Sequence, residues 1–219
     1  MPEIEDKDNE SFQQNFIVNR DIFVLTDIEP ETCNDLITDM FSLVNHMAPV
    51  IHKKQIAQLT SPYDIDKKNC SVLDIYLDSK GGDTHVLRQI TSILALAKNK
   101  GAIVRTHVYG VVYSSASILA TYGTCGYRIM GENAFHFIHF GSAYMSAHKT
   151  SEIAKIAKHM KTIKQQDREA YLKNTQLTSK QLDKLQSDEM GYLDAKQCLK
   201  YGLCDWILMN DGRYISRSK

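Results

Sequence analysis

Residues 110–123 read Gly-Val-Val-Tyr-Ser-Ser-Ala-Ser-Ile-Leu-Ala-Thr-Tyr-Gly, and they follow an apolar run over residues 103–108. The apolar run predicts a buried strand, and Gly110 predicts a short loop after it. The stretch from Ser114 predicts a helix closed by Gly123, since glycine favours the conformation that ends helices. Ser114 would then lie in the first helical turn, where backbone N–H groups lack partners within the helix. Such groups can stabilise an oxyanion, so the serine is placed for acyl transfer.

Two interpretations of Ser114 remain open from the residues alone. Most serines that precede an apolar helix are N-caps, which hydrogen-bond the first free N–H groups. The alternative is a nucleophile, for which His139 at the end of the strand-like segment 135–139 is the candidate general base. His136 lies three residues earlier, and because side chains alternate along a strand it faces the opposite side. Only one of these two histidines can therefore face Ser114.

Composition excludes several classes of protein. A chain of 219 residues fits one domain, and its 26 basic and 26 acidic residues cancel. No electrostatic argument therefore favours nucleic acid or membrane partners. No apolar run reaches the roughly 18 residues that a membrane span needs, and the acidic, polar N-terminus is unlike a signal peptide. We expect a cytoplasmic protein, in the host cytoplasm if a phage encodes it.

The five cysteines are odd in number and form no C-x-x-C pair. They lie mostly in apolar runs, which is typical of reduced core residues in an intracellular protein. The histidines show no metal-ligand spacing such as H-E-x-x-H, so we expect no metal site. The cysteines are Cys33, Cys70, Cys125, Cys198 and Cys204.

Strand patterns alternate with helix patterns along most of the chain. This alternation predicts parallel β-α-β units and an α/β fold with a central sheet. We expect a flexible tail over 1–18, a single domain over 19–210 and a C-terminal tail over 211–219. Residues 48–71 lose all periodicity and predict a long surface loop or insertion.

The region after His139 predicts one long helix, over about 150–173 within a segment that spans 146–175. Its apolar residues recur at helical spacing and form only a narrow stripe. A helix of this kind either projects from the body and packs against another subunit, or lies on its own sheet. The sequence favours neither arrangement over the other.

Four segments, in this order, resemble the signatures of the ClpP family of serine peptidases. They are Asp-Ser-Lys-Gly-Gly (78–82), Gly-Val-Val-Tyr-Ser-Ser-Ala-Ser (110–117), Asn-Ala-Phe-His-Phe-Ile-His (133–139) and Ala-Lys-Gln-Cys-Leu-Lys-Tyr-Gly-Leu-Cys-Asp (195–205). The family signatures are N-S-P-G-G, G-x-A-A-S-M, M-I-H and E-A-x-x-Y-G-L-[IV]-D. The resemblance covers about residues 19–208, and the spacing between serine and histidine is also kept. The sequence resembles a divergent, phage-type member rather than a housekeeping bacterial enzyme.

The resemblance implies a role for each matching residue. Ser114 falls at the nucleophile and His139 at the general base. The backbone N–H groups of Gly82 and Ser115 fall at the oxyanion hole, where glycine allows a close approach of the tetrahedral oxygen. The implied fold is the spiral of β-α-β units that the ClpP and crotonase-like proteins share, with the 150–173 helix as a projecting handle.

Serine peptidases of this kind use a third residue, an acid that orients the histidine, and this position matches the family pattern less well. The position of the family's aspartate falls on Met190, which cannot orient a histidine. Asp188 is our choice for the acid and Glu189 is the alternative, since a small shift of the loop before Gly191 brings either within reach. If both are solvated surface acids, the protein has only a dyad or is inactive.

The function that the resemblance implies is an endopeptidase that cleaves unfolded proteins and peptides through an acyl-enzyme inside a ring-shaped chamber. It further implies two stacked heptameric rings of this chain and a hexameric AAA+ unfoldase of the Clp type. The chain itself would need no cofactor, because the partner would hydrolyse the ATP. Two alternatives remain: a proteolytically inactive ring subunit or scaffold, and an acyl-coenzyme A enzyme on the crotonase scaffold.

Overall fold

Parallel β-α-β units form the centre of the protein, as the alternation of strand and helix patterns predicts. The computed structural model describes residues 14–47, 60–63, 71–140, 150–187 and 191–217. Most of the predicted 48–71 loop and both candidate acids, Asp188 and Glu189, therefore lie outside the described residues. Within the described part, six helices pack around one mixed sheet, which confirms the α/β fold class.

The elements are numbered in chain order. The strands are β1 (Phe16–Val18), β2 (Asp21–Val24), β3 (Val72–Ser79), β4 (Ile103–Tyr113), β5 (Arg128–Gly131), β6 (Phe135–Phe137), β7 (Tyr192–Asp194), β8 (Trp206–Leu208) and β9 (Tyr214–Ser216). The helices are α1 (Pro30–His46), α2 (Thr84–Asn99), α3 (Ser114–Thr121), α4 (Thr150–Asn174), α5 (Ser179–Ser187) and α6 (Ala195–Tyr201).

Strand β4 is the central strand of the sheet. The strand order is β1-β2-β3-β4-β5-β8-β9, and the neighbours from β2 through β8 are parallel. The first half of β4 pairs with β5, whereas residues 111–113 pair with β6, which in turn pairs with β7. The sheet therefore divides along β4, and the carboxyl end of β4 leads directly into α3.

The core lies between this sheet and the helices on its face. All six residues at the start of β4 are buried, as expected for a central parallel strand covered by other elements. Helix α2 contributes Ile90 and Leu94, which are at most 1% exposed, and β3 contributes Leu73 and Ile75. Each such side chain contributes roughly 1.5–3 kcal/mol on burial. The start of α3 is thus attached to the buried central strand of the sheet.

Helix α4 confirms the long helix predicted after His139, and its two halves differ. In the second half Ile163 and Tyr171 are 7% and 0% exposed and pack on the body. In the first half the apolar side chain of Ile153 is 46% exposed. The helix therefore packs on its own subunit at one end and presents an uncovered apolar side chain at the other.

The expected loop at Gly110 is wrong, because β4 continues through this glycine to Tyr113. The Asp78 carboxylate accepts a hydrogen bond from the Val111 N–H at 3.0 Å. A Cβ on residue 110 would lie 2.5 Å from an oxygen of that carboxylate. The glycine here permits a close contact between two strands and does not end one.

Within the described residues, each of the two segments expected to be tails contains a short strand. Strand β1 lies inside the 1–18 segment and pairs antiparallel with β2, and Asn15 is buried. Strand β9 lies inside the 211–219 segment and pairs antiparallel with β8. Each of these strands has only three residues, which is too short for an alternating pattern to identify.

The four cysteines in the described ranges are free thiols: Cys33, Cys198 and Cys204 are buried, and Cys125 is exposed. Cys70 lies outside those ranges. Burial raises the pKa of the Cys204 thiol to about 12, and the nearby Asp205 carboxylate adds to this. In the same described ranges, no helix has the length and apolar character to cross a membrane.

Candidate active site

Ser114 has an unusual backbone conformation at the junction of β4 and α3. Its φ is +50°, in the left-handed region that residues other than glycine rarely adopt. The cap position of α3 is occupied by Tyr113, so Ser114 is the first helical residue and not the N-cap. Such a conformation costs of order 1–3 kcal/mol and persists only where the surroundings enforce it. A serine on a sharp strand-to-helix turn is the arrangement that presents a nucleophilic hydroxyl in many hydrolases.

A turn of two glycines lies directly against this junction. Gly81 and Gly82 have φ values of +89° and +145°. A Cβ on Gly81 would lie 2.5 Å from the Tyr113 carbonyl oxygen and 2.9 Å from the Ser115 nitrogen. Only glycine combines this backbone conformation with so close an approach. The sequence therefore brings Gly81-Gly82 and Ser114-Ser115 into van der Waals contact.

Hydrogen bonds fix the glycine turn to its surroundings. The Ile28 N–H donates to the Gly81 carbonyl at 2.8 Å, and the Ser115 hydroxyl donates to the Gly82 carbonyl at 2.8 Å. The Gly81 N–H donates to the Ser79 hydroxyl at 3.1 Å. The resemblance implies a role only for the Ser115 backbone, whereas the Ser115 side chain joins the turn to α3. These bonds hold the turn in one geometry, as a preorganised oxyanion site requires.

Two backbone N–H groups at this turn are available to a ligand. Within the described part of the chain, the Gly82 N–H donates to no acceptor. The Ser115 N–H lies in the first turn of α3, where the helix supplies no acceptor. These are the two donors that the sequence resemblance implies.

The candidate base, His139, lies two residues after β6, the strand that pairs with the end of β4. In the parallel pair, Tyr113 is opposite Phe137, so Ser114 and His139 both follow the carboxyl ends of neighbouring strands. The Phe137 ring contacts the Tyr113 ring at 5.5 Å and the His139 ring at 5.9 Å between centroids. His139 is exposed and Ser114 is half-buried. The fold thus places a solvent-accessible imidazole at the same sheet edge as the serine.

His136 is directed elsewhere, as strand alternation predicts. It is buried, and its Nδ1 is hydrogen-bonded to the Ser117 hydroxyl at 3.0 Å. The Tyr171 hydroxyl on α4 donates in turn to Ser117 at 2.8 Å. Burial, reinforced by the Arg128 charge, lowers the pKa of His136 to about 3. This buried chain was not predicted from the sequence; a polar Ser117 on the apolar face of α3 was the signal for it.

The candidate acids follow α5, outside the described residues. The chain resumes at Gly191, whose carbonyl accepts a hydrogen bond from the Ile138 N–H at 3.0 Å. Ile138 is the residue before His139. Gly191, the first described residue after Asp188 and Glu189, is therefore hydrogen-bonded to the residue before His139.

An open cleft of about 610 Å³ begins at His139. Apolar side chains from β6 and α5, among them Phe137 and Leu185, form one part of its wall. Helix α4 forms the other part with Lys161, Lys164 and Arg168. A group bound in this cleft would lie next to the imidazole.

The sequence is similar to those of known proteins. Residues 50–211, most of the chain, match the Clp protease family. The ATP-dependent Clp protease proteolytic subunit of Streptococcus uberis is 27% identical over 175 residues, which cover 73% of this chain and 87% of that protein. The subunit of the same name from Lactococcus lactis subsp. cremoris is 27% identical over 145 residues, 65% of this chain and 70% of the relative. The Streptococcus mutans subunit is 26% identical over 175 residues, with the same 73% and 87% coverage. Because the family match covers most of the chain, the α/β fold is that of a ClpP-like protein, and the chain belongs to the Clp protease family of serine peptidases.

Proposed function

We propose that the protein is a serine endopeptidase that hydrolyses peptide bonds in unfolded proteins and peptides. The observation that carries the proposal is the left-handed backbone of Ser114, held against the Gly81-Gly82 turn at the sheet edge that also bears His139. Ser114 is the nucleophile and His139 the general base. Asp188 is the proposed acid, with Glu189 as the alternative.

The proposed reaction needs only groups of this chain, without metal or cofactor. His139 takes the proton from the Ser114 hydroxyl as its oxygen attacks the substrate carbonyl carbon. The N–H groups of Gly82 and Ser115 stabilise the resulting oxyanion, and losing one such donor typically costs about 3–4 kcal/mol of the barrier. His139 then protonates the leaving amine, and water hydrolyses the acyl-enzyme by the reverse proton transfers.

The same proposal includes assembly into two stacked heptameric rings that enclose the active sites. The first half of α4, where Ile153 is 46% exposed, is the proposed contact between rings, as the family resemblance implies. The relatives are named as proteolytic subunits of an ATP-dependent protease. We therefore propose that a Clp-type AAA+ unfoldase delivers substrates to this chain in the cytoplasm.

The proposal is tested by labelling with a fluorophosphonate probe, read by intact mass. Wild type should gain one adduct per subunit and Ser114→Ala none. Peptide mapping should place the adduct on Ser114. Asp188→Ala and Glu189→Ala are then compared, and the acid is the one whose loss slows labelling, by up to about 10⁴-fold.

Absence of labelling in assembled wild-type protein would contradict the proposal. It would favour a proteolytically inactive ring subunit, an alternative that Met190 at the position of the family's acid supports. Equal, rapid labelling of both acid variants would leave Ser114 and His139 as a dyad and would remove Asp188 from the proposed site.

A further inference from the structure

Three aromatic rings form a row across the strands next to Ser114. Tyr113 on β4 is directly opposite Phe137 on β6, which is directly opposite Tyr192 on β7. The centroid of the Phe137 ring lies 5.5 Å from that of Tyr113 and 4.5 Å from that of Tyr192, and the two tyrosine rings lie 5.8 Å apart. These are distances at which aromatic pairs attract each other. The Phe137 ring is therefore held from both sides.

The His139 imidazole lies against the same phenylalanine. Its ring is nearly parallel to that of Phe137, at 11°, with 5.9 Å between the centroids. Side chains two residues apart on an extended chain point to the same face, so this contact follows from the strand. The backbone between them is fixed, because the Ile138 N–H donates to the Gly191 carbonyl at 3.0 Å and the Ile138 side chain is buried. The remaining freedom of His139 is rotation of its own side chain, and the Phe137 ring occupies part of the space for it.

We propose that Phe137 is a positioning residue for the peptidase reaction. Its ring, held by Tyr113 and Tyr192, keeps the His139 imidazole in the orientation that removes the proton from Ser114. The proposal rests on the proposed peptidase function and adds a further residue to its site. The row of rings is a departure from the family signatures, which have alanine at the position of Tyr113 and methionine at that of Phe137.

The physical reason is the rotational freedom of an exposed imidazole. His139 is exposed, and a side chain in water otherwise occupies several staggered rotamers. Only one orientation brings a ring nitrogen to the serine hydroxyl, and a displacement of about 1 Å at a reacting group can cost about 100-fold in rate. A carboxylate fixes which nitrogen of the imidazole carries the proton, whereas the phenylalanine ring limits rotation. The two effects are separate, so the proposal is the same with either Asp188 or Glu189 as the acid.

Two substitutions of Phe137 test this role. Phe137→Leu removes the ring and keeps an apolar side chain, whereas Phe137→Tyr keeps the ring. For each variant, the rate of fluorophosphonate labelling at Ser114 is measured, together with kcat and KM for a short peptide. Phe137→Leu should lower the labelling rate and kcat about threefold to tenfold, the factor that a lost aromatic pair represents. KM should stay the same, because His139 acts in the chemical steps and not in substrate binding, and Phe137→Tyr should keep the wild-type values.

Phe135→Leu is the matched control. Phe135 lies two residues earlier on the same strand and the same face, and its side chain is 42% exposed. Within the described part of the chain, the row of rings and its contact to His139 do not include Phe135. This variant should keep the wild-type rates. Equal rates for Phe137→Leu and wild type would overturn the proposal, as would equal losses in the two leucine variants or a Phe137→Tyr variant as slow as Phe137→Leu.

A measurement without catalysis separates this proposal from the peptidase function. In Ser114→Ala protein, urea unfolding is compared for Phe137→Leu, His139→Ala and the double variant at one protein concentration. The losses of stability should not add, because the two rings are in contact. Additive losses would overturn the positioning role even if wild type is labelled. Non-additive losses in a protein whose Ser114 is not labelled would uphold the ring contact and overturn the peptidase function alone.

Discussion

At the scale of single residues, the candidate site depends on backbone conformations that few side chains tolerate. Two glycines allow this dependence to be measured, because Gly81 and Gly212 have nearly the same φ, +89° and +85°. A Cβ on Gly81 would overlap the start of α3, whereas a Cβ on Gly212 would meet nothing within 4 Å. Alanine at Gly212 therefore adds only backbone strain, whereas alanine at Gly81 adds the same strain and also displaces the start of α3.

Gly81→Ala should slow fluorophosphonate labelling of Ser114 by about 100-fold, because a displacement of about 1 Å at a reacting group costs about that much. Gly81→Ala should also lower the free energy of unfolding by more than Gly212→Ala does, because it adds a steric overlap to the same backbone strain. Gly212→Ala should cost about 1–2 kcal/mol of stability and leave labelling unchanged. Similar labelling rates in the two variants would show that the glycine turn does not position the serine.

The buried His136 should make stability depend on pH. Its ordinary pKa is 6.5, and the fold lowers it to about 3. Above pH 6.5 the imidazole is neutral in both states and has no effect. Between pH 6.5 and 3 only the unfolded chain takes up the proton, so the free energy of unfolding falls by about 1.4 kcal/mol per pH unit from this residue.

His136→Gln removes this proton uptake while keeping an acceptor for Ser117. Urea unfolding of both proteins is followed from pH 7.5 to 4.5 at one protein concentration. The stability of wild type should fall more steeply with acid than that of the variant. Parallel curves would contradict a neutral, buried His136.

At the scale of elements, helices were predicted more closely than strands. The helix predicted over about 150–173 agrees closely with α4, which spans Thr150–Asn174. The pattern predicts an end to β4 at Gly110, because glycine often marks a break in a strand. It is instead the residue that lets Asp78 approach the strand. Close contacts between distant segments leave no periodic signal, and the Gly81 contact with α3 could be inferred only through the family motif.

The link between α4 and α3 is a prediction at this scale. The Tyr171 hydroxyl is buried and donates to Ser117, so Tyr171→Phe removes one hydrogen bond between the two helices. The loss should be about 1 kcal/mol of the free energy of unfolding. Denaturation of this variant, Ser117→Ala and the double variant should give a coupling energy of similar size. Simple additivity of the two changes would mean that the hydrogen bond does not stabilise this contact.

At the scale of the whole molecule, the sequence leaves open whether the long helix projects or packs on its own subunit. In the structure the two halves of α4 differ in this respect. The buried second half, with Ile163 and Tyr171, joins α4 to the elements that carry the candidate site. The first half presents Ile153 without a cover. A pattern in one chain cannot distinguish burial against itself from burial against another copy, because both require the same apolar stripe.

The stacking of rings can therefore be tested on the first half of α4. Ile153→Asp should convert double rings into single rings, because a contact that buries a carboxylate without a partner is strongly unfavourable. The molar mass, measured by light scattering after size-exclusion chromatography, should fall by half while the unfolding temperature of the subunit core changes little. Lys155→Asp is the control, since it places the same carboxylate on an exposed position two residues away. An unchanged mass for Ile153→Asp, or an equal loss for both variants, would show that this face of α4 does not join the rings.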